Sequence, residues 1–304
     1  MKPAPPVTRT RISAEASSGG SGRVLLRWPR IAVPPREPSL EEIRDFWQEH
    51  PVGDSQIRSR ATLYDYFREF DNLRESPDVE PYAFSNRVHD YEGSAGKAVL
   101  DYGCGNGYVL SHYARHGASV SGVDATQKAI ELARARFELL GLDGTFVQND
   151  GTAVPFEDGL FDVACSMGVL HHIPDPAPVV AELHRVLRPG GRLIVMVYNR
   201  DSYRYRVTYR LRRSRGETMR ERVNRNDGRG NPYGRVYEQR ELRELLAGFE
   251  DHRFLVNKLG YGELALWFPV GERVLARAVP RRAVDRLARH WGWNLYCVAR
   301  KPAR

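Results

Sequence analysis

Apolar positions along the chain follow two regimes. Between residues 39 and about 92 they recur at helical spacing. "SLEEIRDFWQEH" (39–50) predicts a helix capped by Ser39, with Glu42 three residues on completing a capping box. "RSRATLYDYFREFDNLR" (58–74) predicts a second helix with an aromatic stripe, and a third covers part of 80–92. From residue 97 onward, short apolar runs alternate with helical stretches. Strands are expected at 97–102, 118–124, 144–150, 161–169 and 192–199. Helices are expected at about 107–116, at 126–141 with Gly141 as the stop, and at 176–191 with a Pro-Gly-Gly stop. This alternation predicts an α/β fold with a doubly wound parallel sheet. Further on, the pattern gives a helix at 237–249, a strand at 252–261, one or two helices over 264–290 broken near Pro280, and a final strand at 293–301.

Composition narrows the classes. The chain has 304 residues, 41% of them apolar and 28% charged, enough to bury a sizeable core. Residues 1–22, rich in Pro, Ser, Gly and Ala, read as a disordered tail. Residues 23–33, "RVLLRWPRIAV", read as an edge strand or docking arm, since Pro29 forbids a central strand. Cys104, Cys165 and Cys297 are widely spaced, without a CxxC pair, which argues against a disulfide scaffold or a metal site. No apolar run approaches a membrane span or a signal peptide, so a cytoplasmic protein is expected.

The chemistry starts at "LDYGCGNGYVL" (100–110), where the first strand of the sheet runs into a glycine turn. Such a turn lets backbone approach a ligand, and the helix after it offers unpaired N–H groups. A dinucleotide loop, G-x-G-x-x-G, would place glycine at position 108, which is Tyr108; the third glycine comes one residue early, at Gly107. No phosphate-binding G-x-x-x-x-G-K-[ST] run is present. Asp124, ending the second strand, suits the ribose of several cofactors and does not discriminate among them.

The stretch "VLDYGCGNG" (99–107) resembles the signature of class I S-adenosylmethionine-dependent methyltransferases. The resemblance runs over roughly 97–200 through "VDAT" (123–126) and "NDGTAVPFEDGLFD" (149–162). It continues in "SMGVLHHIPDP" (166–176) and "VLRPGGRLIVM" (186–196), which resemble the ubiquinone/menaquinone-type branch acting on small molecules. It implies a seven-stranded Rossmann-like sheet of order 3-2-1-4-5-7-6 with the last strand antiparallel, and S-adenosyl-L-methionine as cofactor. The implied division is 1–38 tail and arm, 39–96 helical lid, 97–200 cofactor-binding core, 201–236 arginine-rich insertion and 237–304 remainder of the sheet with a helical insertion. Gly103, Gly105 and Gly107 would form the cofactor turn, Asp101 would face the methionine amine, Asp124 the ribose diol, and Asp150 and Gly151 the adenine; Met167 would complete the cofactor site.

His171 and His172 are the candidate bases, because imidazole titrates near neutrality; the other reading is that they shape the pocket or cap a helix. No N-P-P-Y-type grip for planar amines follows the fourth strand, so O-methylation is favoured and C-methylation comes next. From the second helix, Tyr64, Tyr66, Phe67 and Phe70 are candidate wall residues, and Tyr198, Tyr203 and Arg204 are candidate acceptor contacts.

The net charge of +8 equals the excess of fourteen arginines over six acids within residues 200–243. That segment reads as a solvated face, as a cap holding an anionic small molecule, or, with tyrosines interleaved, as a nucleic-acid surface. A small-molecule acceptor is expected, and the oligomeric state is left open. The alternatives are an RNA methyltransferase, a nucleotide-binding protein without activity, and an NAD-dependent oxidoreductase.

Overall fold

The computed structural model describes residues 37–53, 56–58, 62–211, 218, 221–224, 231–266 and 268–303. The expected tail and arm, and much of the arginine-rich stretch between 212 and 230, lie outside the described residues. The chain divides into Met1–Arg36 and Glu37–Arg304, and the sheet with all its helices belongs to the second unit.

Three helices precede the sheet. α1 (Leu40–Glu49) begins at the expected capping box: Ser39 Oγ accepts from the Glu42 amide (3.2 Å) and Glu42 Oε2 accepts from the Ser39 amide (2.7 Å). α2 (Leu63–Arg74) starts later than its aromatic pattern suggested, because Thr62 Oγ1 caps the Asp65 amide (3.1 Å). α3 is Tyr82–His89.

The sheet alternates with helices: β1 (Ala98–Tyr102), α4 (Tyr108–Arg115), β2 (Ser119–Asp124), α5 (Gln127–Leu140), β3 (Thr145–Gln148), β4 (Phe161–Met167), α6 (Ala177–Val186) and β5 (Leu187–Tyr198). A helix at Gln239–Leu245 leads to β6 (Glu250–Asn257), and helices Pro269–Ala278 and Arg281–Trp291 lead to β7 (Asn294–Arg300). Strand order is β3-β2-β1-β4-β5-β7-β6. The neighbours from β3 to β5 run parallel, and β7 pairs antiparallel with both β5 and β6. The order reverses between β1 and β4, where open α/β sheets bind ligands.

α6 stops five residues short of its expected end. Leu187 already pairs with Phe161 of β4, Pro189 cannot continue a helix, and Gly190 takes φ +75° to turn the chain into the rest of β5. The other helix end read from sequence holds: Gly141 caps α5 in the left-handed conformation.

Both sheet faces are covered, and alternate residues serve opposite cores. Val99, Cys165 and Ile194 pack with α2–α5, while Leu100, Ala164 and Val195 pack with α6 and Leu242. α2 is tied down by Arg136 of α5. Its guanidinium is buried under Phe67 and Phe70, donates to both Asp71 oxygens (2.8 and 3.0 Å), and through Nε donates to the Asn106 carbonyl (2.9 Å) in the glycine turn.

Candidate cofactor and acceptor site

A cleft opens at the C-terminal ends of β1–β4, enclosing about 1020 Å³ including solvent at its mouth. Its floor is the turn after β1. The Gly103 and Cys104 amides donate to the Val123 carbonyl (2.8 and 3.0 Å), clamping the turn to β2. Gly103, Gly105 and Gly107 have φ of +76°, +52° and +75°, a region open to glycine at little cost. The three glycines are used differently. A Cβ on Gly103 would lie 2.2 Å from Val169 Cγ2, one on Gly107 would press on Ala133 at 3.2 Å, and one on Gly105 would meet nothing within 4 Å. Gly103 and Gly105 line the cleft; Gly107 serves the close packing of α4 against α5.

Asp124 sits at the end of β2 and lines the cleft. Its carboxylate accepts from the Gly105 amide (3.0 Å), the Thr126 amide (2.9 Å) and Thr126 Oγ1 (2.9 Å). Burial pushes its pKa up, and these hydrogen bonds act against that rise. At the end of β3, Asp150 Oδ1 accepts from Thr152 (amide 2.8 Å, Oγ1 2.7 Å) and the Ala153 amide (3.1 Å), bonds that hold its carboxyl below the ordinary range. Gly151 follows at φ +86° beside the cleft, its carbonyl fixed by the Tyr102 hydroxyl (2.6 Å). Met167, Gly168 and Val169 form the wall from β4.

Asp101 is placed differently from expectation. It does not line the cleft; its side chain is buried beneath the turn, and Oδ1 has no hydrogen-bond partner among the described residues. Burial pushes its pKa up to about 7, with the Cys165 thiol opposing and the Asp124 charge adding to the rise. Strand alternation explains the position: Leu100 and Asp101 point to opposite faces, and Asp101 sits in register between Gly122 of β2 and Cys165 of β4.

The adjacent histidines part company. His172 lines the cleft, edge-on to Trp47 (4.9 Å between ring centres). Its Nδ1 lies 2.9 Å from the Tyr233 carbonyl, which can only accept; the proton therefore sits on Nδ1 and Nε2 is the basic nitrogen of the neutral ring. His171 is fully buried against Tyr198 (3.8 Å between ring centres), neither ring nitrogen has a partner among the described residues, and burial drives its pKa well below the ordinary value. It is not placed to touch a ligand, which corrects its expected role as a base.

Other expectations are corrected too. Of the aromatic residues on α2, only Tyr66 lines the cleft; Phe67 and Phe70 lie in the core under Arg136, and Tyr64 is exposed. Tyr198, Tyr203 and Arg204 do not line it. Tyr198 stacks on Trp293 (4.6 Å), Tyr203 donates to the Leu264 carbonyl, and Arg204 pairs with the buried Glu263 while lying 3.6 Å over the Trp293 ring. Arg200, Arg206, Arg235 and Arg240 are also paired, with Glu241, Asp201, Glu241 and Glu244 respectively. None of these arginines lines the cleft.

Sequence reading expected a helical lid over 39–96 but named only residues of the second helix for it, not those of α1. Leu40, Ile43, Arg44 and Trp47 of α1 cover it, and α1 is anchored by Gln48, whose Oε1 accepts from the Lys128 amide (3.2 Å) at the start of α5. The signal was the apolar face Leu40–Ile43–Trp47 behind a strong cap, a stripe that needs a partner. It also missed Tyr233, whose carbonyl sets the His172 tautomer from within the arginine-rich segment.

This strand order, with a three-glycine turn after β1 and an acid ending β2, defines the class I methyltransferase fold. A family described as methyltransferase domain matches residues 100–195 of this chain. It is similar to the ubiquinone biosynthesis O-methyltransferase of Pseudomonas paraeruginosa, 35% identical over 129 residues, 42% of this chain and 55% of that protein. It is also similar to that of Thiobacillus denitrificans, 41% identical over 113 residues, 36% of this chain and 48% of that protein. The chain thus spans about half the length of these curated relatives.

Among solved structures, Haemonchus contortus phosphoethanolamine N-methyltransferase 2 matches with a TM-score of 0.55 and 19% identity, over 86% of this chain and 60% of that one. The cyclase SpnF matches with a TM-score of 0.51 and 23% identity, over 75% and 85%. These two likenesses establish the fold alone; a cyclase and a methyltransferase share it, so activity has to be argued from the site.

Proposed function

We propose that this protein is an S-adenosylmethionine-dependent methyltransferase that methylates an oxygen of a small-molecule acceptor. The observation that carries the reading is the cleft itself. It brings together a glycine floor, the acids Asp124 and Asp150, and His172 beside Trp47, with its tautomer set by Tyr233. The residues suit the cofactor: open backbone at Gly105 leaves room for a ligand, carboxylates suit hydroxyl and amino donors, and Leu132, Ile43 and Val169 offer apolar walls.

When bound, S-adenosylmethionine supplies a methyl group on a sulfonium that is already a good leaving group. The protein binds and orients. Gly103 and Gly105 would approach the methionine end, Asp124 would accept from the ribose hydroxyls, and Asp150 and Gly151 would face the adenine with Met167 beside them. Asp101 acts from beneath the turn, where its unpartnered oxygen and raised pKa make it a group that a nearby ammonium would favour in its charged form.

His172 Nε2 would take the proton from the acceptor hydroxyl as the oxygen–carbon bond forms and the methyl carbon–sulfur bond breaks, the electron pair leaving with the neutral thioether. Its Nδ1–H bond to the Tyr233 carbonyl stabilises the resulting imidazolium. Trp47 and α1 keep water from the reacting atoms. O-methylation is favoured over C-methylation because an imidazole lining the cleft suits a hydroxyl and because the curated relatives are named O-methyltransferases.

The reading is tested by incubating the protein with deuterated-methyl cofactor and a metabolite extract, followed by mass spectrometry. A labelled methyl ether is expected with wild-type protein and not with H172A. Label on carbon or nitrogen would reject the oxygen acceptor, and no labelled product would reject the activity.

A further inference from the structure

Five of the eleven exposed large apolar side chains among the described residues fall between 268 and 291. Phe268, Val270 and Val274 are 60%, 75% and 58% exposed, and Leu287 and Trp291 follow on the next helix. Such concentration is unlike the scattered single apolar residues of an ordinary surface. The helix Pro269–Ala278 buries none of its side chains. Val270 and Val274 are one turn apart, on one face, and Arg273 and Arg277 flank them at the same spacing.

On the second helix, Arg281–Trp291, Val284 and Ala288 are the buried anchors, Leu287 and Trp291 stay exposed on the same side, and Arg282, Arg286 and Arg289 lie on the opposite face. Arg281 is used internally, pairing with Asp78 and Asp285. The other five arginines of the two helices make no ion pair among the described residues. Two acids, Glu272 and Asp285, stand against six arginines.

We propose that the helical segment Phe268–Trp291 docks the protein on an anionic lipid surface, with Phe268, Val270 and Val274 entering the headgroup boundary and the arginines meeting lipid phosphates. Apolar residues beside uncompensated arginines, with an aromatic at the end of the helix, are the pattern of a helix lying in a membrane interface. Charge selects this occupant over a second copy of the chain: a two-fold contact through this face would set arginines against arginines. Exposed valines and a phenylalanine offer nothing to a phosphate backbone, which disfavours nucleic acid. No helix among the described residues is long and apolar enough to cross a membrane, so the attachment is peripheral. The proposal is independent of the methyl acceptor.

The test is co-sedimentation of the full chain with phosphatidylglycerol vesicles and with phosphatidylcholine vesicles, for wild type, V270D/V274D and R273E/R277E. Circular dichroism melting confirms that the variants stay folded, as expected for exposed positions. Sedimentation with phosphatidylglycerol only is expected, weakened by salt. The valine pair should lose at least tenfold, and the arginine pair about fivefold per arginine. Equal sedimentation with both lipids, or binding that neither variant weakens, would overturn the proposal. So would a wild-type protein that binds no vesicles but dimerises, or retains RNA, through this face.

Discussion

Replacing Gly103 and Gly105 by alanine, one at a time, separates what holds the turn together from what it holds. Both residues have positive φ, so either alanine costs about 1–2 kcal/mol for the left-handed conformation. At Gly103 the new Cβ also lies 2.2 Å from Val169 Cγ2, and relieving that overlap adds about 1–3 kcal/mol of overpacking. G103A should therefore lose about 2–5 kcal/mol and melt on the order of 10 °C lower. At Gly105 nothing lies within 4 Å, so G105A should melt only a few degrees lower, about 2–4 °C per kcal/mol. Yet Gly105 lines the cleft, and its new methyl would occupy ligand space. S-adenosylmethionine at about 100 times its dissociation constant stabilises the wild type by about 2.7 kcal/mol. In G105A that shift should vanish at the same concentration, whereas G103A should lose fold stability first. Thermal melting with and without the cofactor, on all three proteins, reads both quantities. A G105A protein with a full ligand shift would refute the placement of the cofactor against this turn.

D124A removes the acceptor of the Gly105 and Thr126 hydrogen bonds and the proposed ribose contact; cofactor affinity by calorimetry should fall roughly 10–100-fold, at about 1.5–3 kcal/mol per charged hydrogen bond. H172A should lower turnover about 100-fold or more with little change in cofactor affinity, while H171A should act mainly on stability, since His171 is packed against Tyr198 away from the cleft; equal turnover loss in both would reject the split. His112 has its pKa lowered to about 4 by burial, so below pH 6.5 the unfolded chain binds a proton that the folded chain refuses. Stability should fall by about 3 kcal/mol from this group as pH drops from 6.5 to 4, with His89 and His171 acting in the same direction, and H112Q should flatten the dependence by that share in denaturant titrations at several pH values.

The parallel core was legible because its signals are local: apolar runs of strand length, a cap at Ser39, a stop at Gly141, and a glycine turn whose spacing excludes a dinucleotide loop. Gly103, Gly105, Asp124, Asp150, Gly151 and Met167 could be placed on one cleft because they follow strand ends, and parallel strands bring such ends together. What failed depended on partners distant in sequence. Arg204 reads as a free cation until Glu263, 59 residues on, neutralises it. His171 and His172 look equivalent in sequence, but one turn of 3-10 helix sends one ring under Tyr198 and the other to the cleft, where Tyr233 holds it. The position of Asp101 before the glycines suggested its role, but that its side chain lies buried beneath them follows only from its strand parity. A lid over 39–96 was expected, but which face of α1 covers the cleft could be read only once its packing was known.

The most direct measurement is label transfer from radiolabelled-methyl S-adenosylmethionine to the small-molecule acceptors of a metabolite extract, in wild type, H172A and G105A. An oxygen methyltransferase built on this cleft puts label in the methyl ether with wild type, loses it strongly in H172A at unchanged cofactor binding, and loses it in G105A through failed cofactor binding. The contradicting result is that all label stays on the cofactor across such acceptors while NADH, and not S-adenosylmethionine, stabilises the protein.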